Sequence, residues 1–247
     1  MKKTAYRMIL CVMCLLAMLA MTACAASQPT VPAATTTAPT AEATAESTAV
    51  PAEMTAQAPA TAPEQTESGH AKTLVVYFSV PDDRDNSYVE INGERLGNTQ
   101  YMAYVIQENT GADLFRIQPK TPYPTDHDEL LRVAQEEIRT NARPEIDGII
   151  ERFGDYDTVF VGYPNWNADM PYILYTFFET YDFSGKTIVP FNTHGGSGFS
   201  GTQETIAQLE PNATMLEGKS ISRNRIEDAA QEIVDWLDSI GMLKPAE

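Results

Sequence analysis

The chain has 247 residues and a formal net charge of −17 at pH 7, because 34 aspartates and glutamates outnumber 17 lysines and arginines. This acidity argues against nucleic-acid binding, which depends on neutralising phosphates with basic side chains. All three cysteines (Cys11, Cys14 and Cys24) lie near the N-terminus. The rest of the chain therefore lacks a disulfide, a thiolate metal site and a cysteine nucleophile, and no metal site is predicted.

The first 24 residues are predicted to be a lipoprotein signal peptide. Three basic residues precede an apolar run over residues 8–21, which is short for a membrane-spanning helix of about 20 residues. Residues 19–24, Leu-Ala-Met-Thr-Ala-Cys, resemble a bacterial lipobox, in which Cys24 is acylated and becomes the mature N-terminus. Ordinary cleavage near Ala26 and an uncleaved anchor are the alternatives. Since two or three acyl chains anchor a protein stably, we expect an extracytoplasmic protein that is lipid-anchored at the cell membrane.

Residues 25–70 are almost all alanine, threonine, proline, serine, glutamine and glutamate, without apolar periodicity. This composition predicts a disordered, partly extended linker. The composition changes at Lys72, and we predict one domain over residues 71–243. From residue 71 onward, 29 acidic and 14 basic residues leave a net charge of −15. Such a charge suits a carrier that docks basic partners by electrostatic steering, and it equally suits simple solubility.

Five apolar runs in this domain are predicted to be buried strands, over residues 74–78, 114–117, 158–161, 187–191 and 213–216. Five segments between and after them are predicted to be helices, over residues 98–108, 126–140, 171–180, 202–209 and 226–240. We therefore predict an α/β fold: a doubly wound five-stranded parallel sheet with helices on both faces. Ligands bind such sheets beyond the carboxyl ends of the strands, so the loops after the first, third and fourth strands are the candidate site.

The first strand ends at Ser79, and the first helix begins at Gly97, Asn98 and Thr99. A helix N-terminus presents free N–H groups and a positive dipole end, which favour phosphate. Gly97 would let the backbone approach closely, while the other three would supply uncharged donors. No lysine or arginine stands beside them, and the lysine-bearing P-loop is absent. We therefore predict a phosphate monoester held by neutral donors, with an ordinary helix cap as the alternative.

An insertion, residues 80–96, separates Ser79 from Gly97. Its Asn92-Gly93 pair stands between Tyr-Val-Glu-Ile and Glu-Arg-Leu, a pattern that predicts a small hairpin. We expect the insertion either to cover the site or to dock a partner, and a decorative loop is the alternative.

The loop after the third strand carries Pro164, Asn165 and Trp166. A flat aromatic side chain beside a phosphate site suits stacking on a flavin ring. Pro164 and Pro171 would stiffen the loop that presents it. Packing of Trp166 against the next helix is the alternative.

The loop after the fourth strand reads Thr193, His194, Gly195, Gly196, Ser197, Gly198. Its glycines would let backbone amides approach a ligand and bond the pyrimidine edge of a flavin. His194 is the only residue to which a catalytic role is attached, as a donor to the flavin or to a substrate. A hydrolase using Ser197 and His194 is a further alternative, which the absence of a Gly-x-Ser-x-Gly motif disfavours.

In this order the loops resemble the bacterial flavodoxin-like family, in particular the subgroup with Gly-Tyr-Pro-x-Trp, Tyr-Asp-Phe-Ser-Gly-Lys and Thr-His-Gly-Gly-Ser-Gly. These motifs stand here at residues 162–166, 181–186 and 193–198, and the resemblance covers about residues 72–240. It implies FMN, held by Ser79, residues 97–99, the Trp166 loop and residues 193–198. Two departures are the insertion, which interrupts the usual compact phosphate loop, and Asn167, which stands where a second aromatic often follows the tryptophan.

The expected function is an FMN-binding electron-transfer protein or oxidoreductase at the outer face of the membrane. The widened first loop motivates the alternative, a non-redox binding or interaction module with the same fold. A nicotinamide, a quinone, an iron chelate and a protein partner, such as a basic one, all remain open as electron donor or acceptor. Because the domain has no cysteine for an iron–sulfur cluster, electrons must arrive from a diffusing donor or another protein.

Overall fold

The computed structural model describes residues 72–245. The predicted signal peptide with Cys24 and the predicted linker lie outside the described residues. Within 72–245, no helix is both long enough and apolar enough to cross a membrane.

The described part alternates strands and helices along the chain. The strands are β1 Thr73–Tyr77, β2 Tyr88–Ile91, β3 Glu94–Gly97, β4 Asp113–Arg116, β5 Gln118–Pro119, β6 Ile146–Asp147, β7 Thr158–Pro164, β8 Thr187–His194, β9 Thr214–Met215 and β10 Lys219–Ser222. The α-helices are α1 Asn98–Thr110, α2 His127–Thr140, α3 Tyr172–Thr180, α4 Thr202–Leu209 and α5 Ala230–Ser239. The last predicted helix is shorter than expected, because residues 226–228 form a separate 3-10 turn before α5.

The central sheet has the order β4-β1-β7-β8-β10, with β9 also paired to β8, and every pair is parallel. From β1 the chain crosses to β4 on one side and later to β7 on the other side. The strand order therefore switches between β1 and β7, and in such sheets ligands bind at the carboxyl end of that switch point. The predicted doubly wound parallel sheet is confirmed.

The fifth predicted strand, residues 213–216, corresponds to the short β9, whereas β10 was not predicted. Ile188 O accepts a hydrogen bond from Leu216 N at 3.0 Å, so the peptide groups of Ile188 face β9. Residues two apart in a strand point their peptide groups to the same side, so those of Pro190 also face the segment that contains β9 and β10. Proline has no N–H to donate to the neighbouring strand. Beside it the chain passes so close that a Cβ on Gly218 would lie 2.6 Å from Pro190 O. The hydrogen-bonded pairing with β8 is interrupted there and resumes at Lys219, which pairs with Phe191.

Both faces of the sheet are covered. Helices α1 and α5 pack on one face, where their apolar side chains meet those of the strands: Val75, Tyr77, Met102, Ile106, Phe160, Val189, Ile233 and Leu237. Helices α3 and α4 contribute to the core of the opposite face, which contains Leu74, Val76, Val159, Val161, Ile173, Leu174, Phe177 and Ile206. The nearly continuous apolar strands follow from this burial on both sides.

The insertion contains the predicted hairpin. Strands β2 and β3 pair antiparallel, with Ile91 opposite Glu94 across the two-residue turn. Asn92 and Gly93 both have positive φ, 53° and 81°, as a type I′ turn requires. Strand β3 ends at Gly97, directly before α1, so the hairpin is joined without a linker to the helix that begins the candidate site.

Candidate functional site

The predicted loops converge at the carboxyl edge of the sheet. They border a cavity of about 70 Å³, here called the inner cavity. Most of the predicted site residues line it: Ser79, Asn98, Thr99, Pro164, Asn165, Trp166, Thr193, His194 and Gly195. A second cavity of about 270 Å³, the outer cavity, shares Asn165, Trp166 and Gly195 with the first and adds Ser197. Gly97, Gly196 and Gly198 line neither cavity.

Gly97 acts by its lack of a side chain. A Cβ at this position would overlap Ser79 Oγ, so only glycine lets the start of α1 lie against the end of β1. Ser79 is buried, and its carbonyl oxygen accepts a hydrogen bond from Arg116 Nη2 at 3.0 Å. The two halves of the first loop thus meet despite the insertion between them.

The start of α1 is tied to β8 and to the insertion. Thr99 Oγ1 and Thr193 Oγ1 are 2.8 Å apart, which joins the first and fourth loops. Asn98 N donates to Ser87 O at 3.2 Å, and Asn98 Nδ2 donates to Asn86 O at 2.8 Å. Within residues 72–245, Asn98 Oδ1 is buried without a hydrogen-bond partner. Asn98, which lines the inner cavity, therefore retains an unused acceptor.

Trp166 lies half-buried between the two cavities. Its ring packs edge-to-face against Phe78 and Tyr123, with centroid distances of 5.5 and 5.3 Å. A tight turn holds its backbone, since Trp166 N donates to Asp169 O at 2.9 Å and Asp169 N donates to Trp166 O at 3.0 Å. Trp166 thus packs against these rings at the edge of one core of the sheet, and the indole still borders the site.

Asn165 connects the third and fourth loops. Its backbone N–H donates to Thr193 O at 2.8 Å, and its Nδ2 donates to Gly198 O at 3.0 Å. Asn192 Nδ2 also donates to Gly198 O, at 3.0 Å. Gly198 thus shapes the loop through its carbonyl oxygen instead of facing the cavities.

His194 is held in one tautomer. Gly196 N donates to His194 Nδ1 at 2.8 Å, so in the neutral ring the proton is on Nε2. Burial lowers the pKa of His194, and the nearby positive charge of Arg225 lowers it further. His194 is therefore a neutral Nε2–H donor. Since its acceptor nitrogen is already used, it cannot take a proton from Ser197, which argues against the hydrolase alternative.

Two charged side chains join the predicted neutral donors at the cavities. Arg84, from the insertion, and Arg223, from the segment after β10, line both cavities. Neither stands beside Ser79 or residues 97–99 in the sequence. Arg84 reaches the site because the insertion folds back over it, and Arg223 because the unpredicted β10 carries it there, with Arg223 N donating to His194 O at 2.9 Å.

Asp82 holds Arg84 and joins the insertion to α2. Arg84 Nε lies 3.0 Å from both carboxylate oxygens of Asp82, and His127 Nδ1 lies 2.9 Å from Asp82 Oδ2. Burial of Asp82 opposes its ionisation, but the hydrogen bonds and charge of Arg84, with His127, outweigh burial and lower the pKa of Asp82. Asp83 N also donates to Thr125 O at 2.8 Å. The insertion therefore lies at the site and lines the inner cavity with Asp82, Arg84 and Ser87.

Comparisons with known proteins agree with this architecture. A family model described as flavodoxin matches residues 91–240. A candidate flavoprotein from Bacteroides eggerthii is 31% identical, with a TM-score of 0.56, and the match covers 70% of this chain and 99% of that one. A second candidate flavoprotein, from Bacteroides uniformis, is 25% identical with a TM-score of 0.50, and the match covers 66% of this chain and 99% of that one. A flavoprotein from Lactobacillus acidophilus, solved in complex with FMN, is 18% identical with a TM-score of 0.48, covering 64% and 98%. A search of curated proteins found no match.

Proposed function

Since the chain belongs to the flavodoxin family, we propose that its domain binds FMN at the carboxyl edge of the sheet and acts as an electron-transfer protein or FMN-dependent oxidoreductase. The observation that carries the proposal is the meeting of the three predicted loops around one cavity at the strand switch point. The motifs at residues 162–166, 181–186 and 193–198 further support the subgroup named from the sequence.

The residues at the inner cavity fit the phosphate and ribityl parts of FMN. Ser79 and Thr99 carry hydroxyl groups there, and the N–H groups of Thr99 and Gln100 have no helical acceptor because they lie in the first turn of α1. In the described part of the chain, Asn98 Oδ1 and Arg223 Nε are both buried without a partner. A ribityl hydroxyl would satisfy the acceptor, and a phosphate oxygen would satisfy the donor.

The residues around the outer cavity fit the ring of the cofactor. Trp166 offers an aromatic surface, and the turn at Asp169 holds it in place. His194 lines the inner cavity beside it, and its Nε2–H remains available as a donor. When bound, FMN supplies the redox chemistry, and the protein contributes binding, orientation and electrostatic environment. We assign no residue of the chain to a covalent step.

The electron partner is proposed by class alone. The domain charge of −15 favours a basic protein that is steered to the site by long-range attraction. A nicotinamide, a quinone and an iron chelate are the small-molecule donors or acceptors to screen against it.

The full chain, purified in detergent and dialysed after incubation with FMN, is expected to retain flavin with visible absorption bands. Retention at about one flavin per chain, followed by reversible bleaching with dithionite, would support the proposal. A chain that stays colourless with excess FMN, yet unfolds cooperatively, would contradict it.

One observation favours the second candidate, a non-redox binding module. Ser87 O takes the N–H of Asn98, the first residue of α1, which a phosphate would otherwise meet. The colourless outcome of the same experiment would support this candidate, because the fold would then persist without its cofactor.

We also propose that the protein is extracytoplasmic and held to the cell membrane by acylated Cys24. The basic start, the short apolar run and the lipobox-like residues 19–24 support this proposal. Replacing Cys24 with serine is expected to move the protein from the membrane pellet to the soluble fraction and to abolish incorporation of labelled palmitate. Equal palmitate labelling of the C24S variant would contradict acylation at this residue.

A further inference from the structure

We infer that the guanidinium groups of Arg84 and Arg223 form a binding site for the phosphate monoester of the flavin. This phosphate site makes the protein select FMN over unphosphorylated riboflavin. The inference rests on the proposed function and goes beyond it, because it names a recognition element from outside the predicted loops. Both arginines line the same small cavity as Ser79, Asn98 and Thr99.

The charge balance of the inner cavity calls for an anion. From residue 71 onward the chain carries 15 more acidic than basic residues. Yet among the described residues that line this cavity, two guanidinium groups face the one carboxylate of Asp82. Burial lowers the pKa of Arg223, and repulsion from the like charge of Arg84 lowers it further, while the charge of Asp82 opposes the shift. A dianionic phosphate between them would convert that repulsion into attraction.

Each arginine has donor capacity left for a ligand. Arg84 uses Nε and Nη2 on Asp82, which leaves the Nη1 edge of its fork for another acceptor. In the described part, Arg223 Nε is a buried donor without a partner. A phosphate monoester has three terminal oxygens and can accept from both arginines while it also accepts from the start of α1.

The surroundings hold the side chain of Arg84 and the backbone of Arg223 in position before any ligand arrives. Asp82 binds Arg84 and is itself bonded to His127 on α2, so Asp82 is a positioning residue. Gly195 lies against the Arg223 guanidinium, because a Cβ there would be in van der Waals contact with Arg223 Cζ at 3.4 Å. The insertion is also tied to the segment that carries Arg223, because Asn86 Nδ2 donates to Asn224 Oδ1 at 2.9 Å. A phosphate site that is ordered in advance binds more tightly, because less conformational entropy is lost on binding.

The test compares FMN with riboflavin on the full-length protein. The variants are Arg84→Gln, Arg223→Gln and their combination. The matched control is Arg95→Gln, which removes the same charge from the same insertion at an exposed arginine that lines neither cavity. We expect each single site variant to weaken FMN binding about tenfold and the double variant about a hundredfold. Riboflavin affinity should change less than about threefold, because riboflavin has no phosphate that could bind the two arginines.

Flavin fluorescence titration gives the affinities, and inorganic phosphate serves as a second probe. Phosphate should compete with FMN on the wild type and much less on the double variant. Equal losses for FMN and riboflavin, or an FMN preference that survives in a folded double variant, would overturn the inference while leaving the proposed function standing. A wild type that binds neither flavin would instead refute the proposed function and the inference with it. Thermal unfolding of each variant checks that it is folded.

Discussion

Replacing Trp166 with alanine is expected to weaken FMN binding about tenfold to a hundredfold, the range found when an aromatic platform is removed from beneath a stacked ring. The indole borders both cavities, and it would be replaced by a methyl group that offers no flat surface. Its packing against Phe78 and Tyr123 would also be lost, so the loop would be less ordered before binding. Trp166→Phe should retain most of the affinity, because it keeps an aromatic face.

Tryptophan fluorescence allows a direct measurement, since the chain has only two tryptophans. Trp236 lies on the other face of the sheet, 5% exposed, with Nε1 donating to Glu217 O at 3.0 Å. A Trp236→Phe variant therefore leaves Trp166 as the single emitter. FMN should quench that emission strongly if the ring stacks there. Unquenched emission at saturating FMN, or an alanine variant with unchanged affinity, would contradict the stacking role.

Gly162→Ala is expected to destabilise the domain strongly, by about 3 kcal/mol or more. Gly162 lies on β7, between Tyr77 of β1 and Phe191 of β8. A Cβ there would overlap the Phe191 ring, with even the more distant Cε1 only 2.8 Å away. Phe191 is fully buried against the core beneath α1 and α5, so the ring cannot move aside without displacing its neighbours.

A double-mutant cycle separates this clash from a backbone effect. Phe191→Leu alone should cost about 1–3 kcal/mol through lost packing. In the combined variant, the smaller side chain should accommodate the new methyl group, so the two costs should sum to clearly more than the measured loss. Gly154→Ala is the control, because a Cβ at Gly154 has no heavy atom within 4 Å. Strictly additive losses in urea unfolding would show that Phe191 is not the reason for the glycine.

Much of the fold could be predicted because its causes are local and periodic. Apolar runs buried on both faces give a parallel sheet, and Asn92-Gly93 gives a hairpin because both residues tolerate positive φ. The start of α2 is also set locally, because Asp126 caps the helix and its carboxylate accepts from Glu129 N at 2.8 Å. Strand β10 was not predicted, because its separation from β9 depends on Pro190 of the neighbouring strand, which no local pattern in residues 213–222 reveals.

The sequence by itself determined the order of the elements and the loops that meet at the sheet edge, because parallel strands bring their carboxyl ends to one side. It also placed Ser79, Trp166 and His194 on those loops. Only the tertiary structure decided which charged side chains join these residues at the site. Arg84 and Arg223 are 139 positions apart and reach one cavity through the folding of an insertion and the register of β10. Such contacts between distant segments have no period in the sequence, so pairing between Asp82, Arg84 and His127 becomes visible only once the chain is folded.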